Sequence, residues 1–390
     1  MEKKIAYFLS HPIQYFSPLL KSIAQKTDLT VYYFSDASIA GKVDKGFGQK
    51  IKWDTPLLEG YSYSFLKNYS KRRSLENNFF DIFNPGVIKI LWKEKAPVII
   101  VNGWSYSSNL MTIFFARLFG KEIWLRCDNP LNQELLKSKK TLFVKRIFLK
   151  YTLFNFFVDR YLYTGTENRS FFKYYGVSES KLLYTPHAVD NNYFETQHED
   201  LQKKRDQLKK KFNLPADKKV ILFSGKYIEK KRPLDLLQVF AMLDRNKYSL
   251  VMVGDGKLRK EMENYIQQNS LLNVYLTGFI NQSAISEYYE IADVFVMCSG
   301  IGETWGLSVN EIMNFEKPVL VSKICGCSVD LVEEGVNGYT FEEGNIQQLS
   351  HLITEVLENE NFLISAGKRS KEIIENFSIN NITENIVQAL

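Results

Sequence analysis

The sequence predicts an α/β protein made of two Rossmann-like domains, and three observations lead to that prediction. The chain has 390 residues, a length typical of two domains of roughly 100–200 residues each. Short apolar runs alternate with amphipathic stretches, which indicates parallel strands with helices on both faces of a sheet. The alternation occurs twice, and a charged stretch at residues 200–211 separates the two passes.

The domain boundaries follow from this repeat. We expect an N-terminal domain over residues 1–190 and a C-terminal domain over residues 191–372. Residues 373–390 form a further predicted helix, which we expect to pack back on the N-terminal domain.

Each pass contains several predicted strands and helices. The predicted strands of the first pass are Lys4–Leu9, Leu29–Phe34, Pro97–Val101 and Glu122–Arg126, and its helices are Ser17–Gln25, Val87–Glu94 and Leu110–Leu118. The predicted strands of the second pass are Lys219–Phe223, Ser249–Val253, Val274–Thr277, Val294–Met297 and Pro318–Ser322. Its helices are Leu234–Leu243, Lys257–Gln268, Ile285–Ile291 and Leu307–Phe315.

Composition excludes several classes of protein. The four cysteines include one isolated C-G-C pair, and only four histidines are present, so a disulfide framework or a structural zinc site is not expected. No stretch approaches 18 uninterrupted apolar residues, and the first apolar run is too short for a signal peptide. We therefore expect a cytoplasmic protein.

The net charge of +6 is unevenly distributed. Residues 1–195 carry 28 basic against 17 acidic residues, whereas residues 196–390 carry 22 against 27. A basic half indicates nucleic acid, an anionic membrane surface or a phosphorylated substrate as a partner. No nucleic-acid-binding motif is present, which favours the last two.

Ends of predicted strands in the second half carry the residues suited to chemistry. Gly225 and Lys226 follow one strand, with Lys231 five residues further on. A glycine-containing loop, residues 298–306, leads into a helix, and such a helix start attracts anions. Glu303 and Glu311 flank that helix start. The arrangement suits a nucleotide-diphosphate sugar, with phosphate at the helix start and hydroxyl groups on the two carboxylates.

The segment from Glu303 to Glu311 resembles the E-x7-E motif of the family-4 retaining glycosyltransferases. That family has the GT-B fold, in which two Rossmann-like domains face a central cleft. Five more segments resemble the family in order and spacing across residues 219–345: Gly225-Lys226…Lys231-Arg232-Pro233, Leu250–Gly256, Tyr275–Phe279, Lys317-Pro318-Val319 and Asp330–Gly338. Two glutamates eight apart are common, but six segments in register are specific.

The resemblance implies roles for donor-site residues. Lys226 and Lys231 would neutralise the donor diphosphate, and Glu303 would contact the transferred sugar. Glu311 would accept hydrogen bonds from the ribose, and the segment Phe279-Ile280 would lie against the base. The remaining donor-binding candidates are Gly225, Trp305, Gly306, Leu307 and Ser308, of which Gly306–Ser308 would bind the distal phosphate through backbone groups.

The resemblance also implies how the reaction proceeds. Glu303, Lys231 and Lys226 are the catalytic candidates. Because the lysines and the helix start supply positive charge, no metal or other cofactor is expected. The donor would be of the UDP or GDP type. Its leaving diphosphate would help to deprotonate the acceptor during a front-face attack that retains the anomeric configuration.

The N-terminal half departs from the family pattern. No Gly-Gly follows the first strand, and no histidine occurs between residues 12 and 186. Candidates for contact with the acceptor or for lining the cleft are the polar and aromatic residues at predicted strand ends: His11, Gln14, Asn102, Trp104, Arg126 and Asp128. His187 is expected to have a structural role at the domain junction.

A basic segment at residues 136–150 allows two interpretations. Six lysines and arginines occur there without an acidic residue, and Leu142, Phe143, Ile147 and Phe148 fall at helical spacing. Such a helix is typical of one that lies on an anionic lipid surface. Alternatively, its apolar stripe packs on the sheet and its lysines are solvated.

Together these observations predict a hexosyl-type glycosyltransferase (EC 2.4). It would transfer a sugar to a saccharide, such as a polyprenyl-diphosphate-linked oligosaccharide, in capsule, lipopolysaccharide O-antigen or exopolysaccharide synthesis. Its place would be the cytoplasm or, peripherally, the inner face of the cell membrane. Two alternatives stay open: a non-catalytic nucleotide-sugar-binding subunit, and another GT-B enzyme such as a sugar-nucleotide epimerase.

Overall fold

The computed structural model describes residues 3–39, 43–44, 49–50, 54–72, 75 and 78–390. The chain divides into two units. Unit 1 comprises the described residues of Met1–Lys42, Pro56–His187 and Ile379–Leu390, and unit 2 those of Val43–Thr55 and Ala188–Ser378. The predicted boundary at residue 372 lies inside a helix, whereas the chain passes between the units after Ser378.

The strands within the described residues are β1 (Lys4–Leu9), β2 (Asp28–Tyr33), β3 (Val43–Asp44), β4 (Gln49–Lys50), β5 (Ser62–Phe65), β6 (Val98–Asn102), β7 (Glu122–Arg126), β8 (Arg160–Tyr163), β9 (Leu182–Tyr184), β10 (Lys219–Ser224), β11 (Tyr248–Val253), β12 (Val274–Leu276), β13 (Val294–Met297), β14 (Val319–Ser322) and β15 (Gly338–Phe341). The helices are α1 (Phe16–Ala24), α2 (Val87–Lys93), α3 (Ser107–Leu118), α4 (Leu131–Glu134), α5 (Lys139–Phe148), α6 (Thr166–Tyr174), α7 (Asn191–Leu201), α8 (Arg205–Lys211), α9 (Pro233–Met242), α10 (Arg259–Gln268), α11 (Gln282–Ile291), α12 (Leu307–Met313), α13 (Ser328–Leu331), α14 (Ile346–Glu358), α15 (Glu360–Glu375) and α16 (Ile379–Ala389). A π-helical turn, Leu149–Phe154, continues α5.

Each unit contains a parallel sheet. In unit 1 the strand order is β5-β2-β1-β6-β7-β8-β9, and in unit 2 it is β12-β11-β10-β13-β14-β15. All the strand pairs of these two sheets are parallel, so the carboxyl ends of neighbouring strands lie at one edge. All six residues of β11 are buried, as expected for a strand covered on both faces.

Most predicted elements are present, with ends shifted by one to three residues. The helix predicted from Leu110 begins at Ser107, because polar residues of its first turn have buried partners. The hydroxyls of Ser107 and Ser108 donate to the carbonyl of Ile82, and the Asn109 side chain accepts from the N–H of Tyr106.

Strands β5, β8, β9 and β15 were not predicted, since each has only three or four residues and β5, β9 and β15 are edge strands.

Helix α5 is only partly packed, unlike the alternative in which its whole apolar stripe lies on the sheet. Phe143, Val144 and Ile147 have exposed fractions of 64%, 57% and 47%. Phe148 instead packs against the buried core of unit 1. The helix therefore has one side toward the unit and an apolar outer side. In the part of the chain that the structure describes, no helix is long and apolar enough to cross a membrane.

Candidate active site

Four loops meet at the carboxyl edge of the unit 2 sheet. The backbone N–H of Gly225 donates to the carbonyl of Val253 at 2.9 Å, which joins the loops after β10 and β11. The N–H of Gly254 donates to the carbonyl of Gly278 at 3.0 Å and adds the loop after β12. The N–H of Gly300 donates to the carbonyl of Lys230 at 2.8 Å and adds the loop after β13. Segments far apart in sequence therefore share one backbone framework.

Gly254 is required by this framework. Its φ is +141°, and a Cβ atom at this position would lie 1.9 Å from the carbonyl oxygen of Gly225. Only glycine allows so close an approach of two backbones. The V-G-D-G segment thus holds the lysine-bearing loop against the end of β11.

Lys231 and Glu303 form an ion pair in this edge of the sheet. Lys230 lies further from the same carboxylate oxygen, at 3.8 Å, and its Nζ donates to the carbonyl of Gly302. Burial opposes ionisation of Glu303, which is 7% exposed. The charges of Lys231 and Lys230 outweigh burial, so the pKa of Glu303 lies below its usual value. Glu303 is therefore a carboxylate at neutral pH.

Glu311 has a different environment. Its Oε2 accepts a hydrogen bond from the hydroxyl of Tyr289, a fully buried residue on α11. Burial raises the pKa of Glu311 to about 7, although the Tyr289 hydrogen bond and the charge of Lys231 both act to lower it. The two glutamates of the E-x7-E motif thus differ in ionisation at neutral pH.

The start of α12 lies between these glutamates. Gly306 precedes the helix with φ +118°, and a Cβ there would lie 2.6 Å from Sδ of Met297. The backbone N–H groups of Leu307 and Ser308 are in the first turn, where a helix offers no internal acceptor. This turn can donate hydrogen bonds to an anion.

The other donor-site candidates divide into exposed and buried groups. Lys226 and Phe279 are partly exposed at the loop ends. Ile280 packs against the core of unit 2. The Trp305 ring is 3% exposed, and its Nε1 donates to Oδ1 of Asn310 at 2.8 Å. A ligand contact of Trp305 would therefore involve its backbone.

The acceptor candidates lie at the carboxyl edge of the unit 1 sheet. Arg126 is 4% exposed and donates to the carbonyls of Thr185 and Pro186 at 3.3 and 3.4 Å. Asp128 has a side chain that is 45% exposed, with an oxygen 3.9 Å from Nε2 of His187. Burial and the neighbouring Arg126 hold the pKa of His187 well below its usual value, so this contact is not an ion pair at neutral pH. The side chain of Asp128 is thus accessible to solvent, whereas that of Arg126 is buried and bonded to backbone carbonyls.

The remaining acceptor candidates are held by local contacts. Nδ1 of His11 lies 2.9 Å from the Ser10 hydroxyl, and burial lowers the pKa of His11 to about 4. The carbonyl of Gln14 accepts from the N–H of Ser17, and the carbonyl of Asn102 accepts from the Asn109 side chain. The ring of Trp104 faces Lys145, whose Nζ is 5.2 Å from the ring centroid.

Sequence reasoning did not identify Tyr289 as part of the site. It lies 22 residues before Glu311, and an aromatic residue on a helix is typical of a core position. No local signal distinguishes it from Tyr288, whose ring stacks on Phe212. Among the described residues, no three His, Cys, Asp or Glu side chains come together as a metal site.

Comparison with known proteins finds a family model that spans the part of the chain carrying this site. Residues 204–376 match the family model described as "Glycosyl transferases group 1". The chain is 26% identical over 339 residues to an α-1,4-N-acetyl-D-galactosaminyltransferase of Campylobacter jejuni, covering 83% of this chain and 86% of that protein. It is 30% identical over 149 residues to the lipopolysaccharide 1,2-N-acetylglucosaminetransferase of Salmonella typhimurium, covering 36% and 39%. The match spans less than half the length of two of the first three curated relatives.

The fold agrees with solved structures over the whole chain. HepE of Anabaena, solved in complex with UDP, superposes with a TM-score of 0.76 at 19% identity and covers 100% of this chain and 99% of its own. The predicted α/β fold of the GT-B type, with two Rossmann-like units, is confirmed. The predicted resemblance is also confirmed at the level of a domain: residues 204–376 are a group 1 glycosyltransferase domain.

Proposed function

We propose that this protein transfers a sugar from a nucleotide-diphosphate donor to a saccharide acceptor with retention of anomeric configuration. The observation that carries the proposal is the grouping of Lys231, Glu303 and Glu311 around the start of α12. Positive charge, the first-turn N–H groups of α12 and two carboxylates of different ionisation lie within one loop framework. This combination suits a ligand with both phosphate and hydroxyl groups.

Each residue has a proposed part in the reaction. Lys226 and Lys231 neutralise the charge that develops on the leaving diphosphate, and the N–H groups of α12 bind the distal phosphate. Glu303 accepts hydrogen bonds from the transferred sugar, and Glu311 accepts them from the ribose. The leaving phosphate oxygen takes the proton of the acceptor hydroxyl as the new glycosidic bond forms. Because this chain supplies the positive charge, we expect turnover to persist in the presence of EDTA.

The proposed acceptor is a saccharide on a polyprenyl-diphosphate carrier. The name of the Campylobacter relative describes an acceptor linked to undecaprenol through diphosphate. In unit 1, the exposed carboxylate of Asp128 is suited to accept a hydrogen bond from a sugar hydroxyl. The product would belong to lipopolysaccharide, capsule or another surface polysaccharide.

We propose that the outer side of α5 contacts the membrane that carries such an acceptor. Phe143, Val144 and Ile147 are exposed there, and Lys139, Lys140 and Arg146 are exposed on the same helix. On the inner side, Lys145 pairs with Glu134 at 2.6 Å, which holds the helix to the unit. Apolar and cationic side chains exposed together favour an anionic bilayer surface.

A comparison of adjacent lysines tests the donor site. In a Lys231→Ala variant we expect turnover with UDP- or GDP-sugars to fall by roughly 100-fold or more, because one charge that stabilises the leaving group is lost. Lys230→Ala serves as the matched control, and we expect a loss of no more than a few-fold. Equal turnover of the wild-type protein and the Lys231→Ala variant would overturn the site.

Three measurements on the wild-type protein distinguish the alternatives. A thermal-shift series with UDP, GDP and their sugars reports donor binding, since a ligand that binds only the folded state stabilises it. Donor stabilisation without release of nucleoside diphosphate in the presence of any acceptor would favour a non-catalytic subunit. Acceptor-independent change of the sugar would favour an epimerase.

A further inference from the structure

The contact between Tyr289 and Glu311 extends the proposed donor site by one residue that no sequence motif includes. Tyr289 lies on α11 and is fully buried, and its ring packs near Phe194 and Phe315 at centroid distances of 6.2 and 5.5 Å. Packing against these two rings holds the ring of Tyr289, so the position of its hydroxyl oxygen is also held. The hydroxyl donates to Oε2 of Glu311 on α12.

The direction of this hydrogen bond follows from the two groups. Burial, followed by the charge of Glu311, raises the pKa of Tyr289 well above its usual value, so the phenol keeps its proton. The hydroxyl is therefore the donor and the carboxylate the acceptor. A carboxylate has about four acceptor positions, so one hydrogen bond from tyrosine leaves others for ligand hydroxyls.

We propose that Tyr289 is a positioning residue for the nucleotide: it holds Glu311 in one orientation and in the ionised form that binds the ribose hydroxyls. This inference rests on the proposed function. The titratable groups that face Glu311 are Tyr289 from α11 and Lys231 from the turn after β10. The Ser224 hydroxyl, at the end of β10, interacts with Tyr289.

The first test measures Glu311 in the protein without nucleotide. With ¹³C at the glutamate side-chain carboxyl, the NMR signal that disappears in Glu311→Gln identifies the residue. In Tyr289→Phe we expect this carboxyl to titrate about one pH unit higher than in the wild type, since a donor to its charged form is lost. Tyr288→Phe is the matched control, because Tyr288 is on the same helix and stacks on Phe212 instead. An unchanged titration of the Glu311 carboxyl in Tyr289→Phe overturns the inference, independently of the result for nucleotide binding.

The second test measures UDP affinity as a function of pH. If the ionised Glu311 binds ribose, Tyr289→Phe weakens UDP binding about fivefold relative to wild type at pH 7 and less than about twofold at pH 9. Taking the ratio to wild type at each pH removes the titration of UDP itself. A ratio independent of pH overturns the positioning role even if the carboxyl titration moves.

A double-mutant cycle separates positioning from general loss of stability. In a Glu311→Gln background, Tyr289→Phe should have no further effect on UDP affinity, because the group it acts through is absent. The same loss in both backgrounds would show a merely structural role. If wild-type protein binds neither UDP nor GDP, the proposed function fails, and the NMR titration still decides whether Tyr289 controls Glu311.

Discussion

Gly254 shows how one residue determines the geometry of the candidate donor site. Because Gly254 has no side chain, the carbonyl oxygen of Gly225 can approach into the space that a Cβ atom would need. The lysine-bearing loop after β10 depends on this approach, because Gly225 also donates to Val253. We therefore expect donor binding at this candidate site to be sensitive to a position that need not touch the donor.

We expect Gly254→Ala to destabilise unit 2 by roughly 3 kcal/mol, from overpacking together with an unfavourable φ. Loss of nucleotide binding should accompany it, since the loop that carries Lys226 and Lys231 is displaced. Chemical denaturation and UDP thermal shifts measure the two effects.

Gly335→Ala is the control that measures the cost of an unfavourable φ without overpacking. Its φ is +72°, but a Cβ would lie 3.8 Å from the nearest side-chain atom, an ordinary contact. The expected cost is about 1–2 kcal/mol with nucleotide binding retained. Equal effects of the two substitutions would contradict the close-approach argument.

At the scale of elements, α5 is a surface helix with two different sides. Its inner side holds it to unit 1 through Lys145, which pairs with Glu134 and faces the ring of Trp104. Its outer side exposes apolar residues that the sequence alone did not assign to packing or exposure. The hypothesis of membrane contact thus concerns this outer side.

Charge reversal on α5 tests that hypothesis. The triple variant Lys139→Glu, Lys140→Glu, Arg146→Glu should bind phosphatidylglycerol vesicles at least about 100-fold more weakly than wild type, at roughly 1 kcal/mol per basic residue. Vesicle co-sedimentation at several salt concentrations measures the change. The variant Lys203→Glu, Lys204→Glu, Lys210→Glu changes the same charge on exposed positions of unit 2 and is the control. Equal weakening in both variants, or no binding by the wild type, would exclude a specific surface on α5.

At the scale of the whole molecule, the last helix and the segment that precedes it belong to different units. Helix α16 belongs to unit 1, where Ile382 and Ile386 are buried. The Thr383 hydroxyl donates to that of Ser22 at 2.8 Å, and the Asn385 side chain donates to the carbonyl of Tyr184 at 2.9 Å. Unit 1 is therefore completed by a helix that follows the whole of unit 2 in the sequence.

Ile382→Ala should destabilise unit 1 by about 2–5 kcal/mol, through lost burial and a cavity. Hydrogen exchange should become faster in α1 and β9, which contact α16, whereas UDP binding to unit 2 is retained. Gln388→Ala, at an exposed position of the same helix, is the control. Faster exchange throughout unit 2 would contradict the assignment of α16 to unit 1.

Local patterns in the sequence were sufficient to predict the fold class, most of the elements and the group 1 glycosyltransferase domain. These patterns are the periodicity of apolar residues and the order and spacing of six short segments along the chain. The same patterns predicted Lys231, Glu303 and Glu311 as donor-site residues. The two glutamates lie on one loop and the helix that follows it, and Lys231, in the turn after β10, pairs with Glu303. The patterns did not reveal short edge strands such as β5, whose exposed residues have no apolar pattern.

Contacts between separate elements became known only from the tertiary structure. In the tertiary structure Arg126 donates to the carbonyls of Thr185 and Pro186, and Trp305 is buried, although both residues were candidates for ligand contact. The tertiary structure also brings Tyr289 to Glu311. The physical reason is that burial, direction and ionisation depend on contacts between residues distant in sequence, which spacing along the chain does not encode.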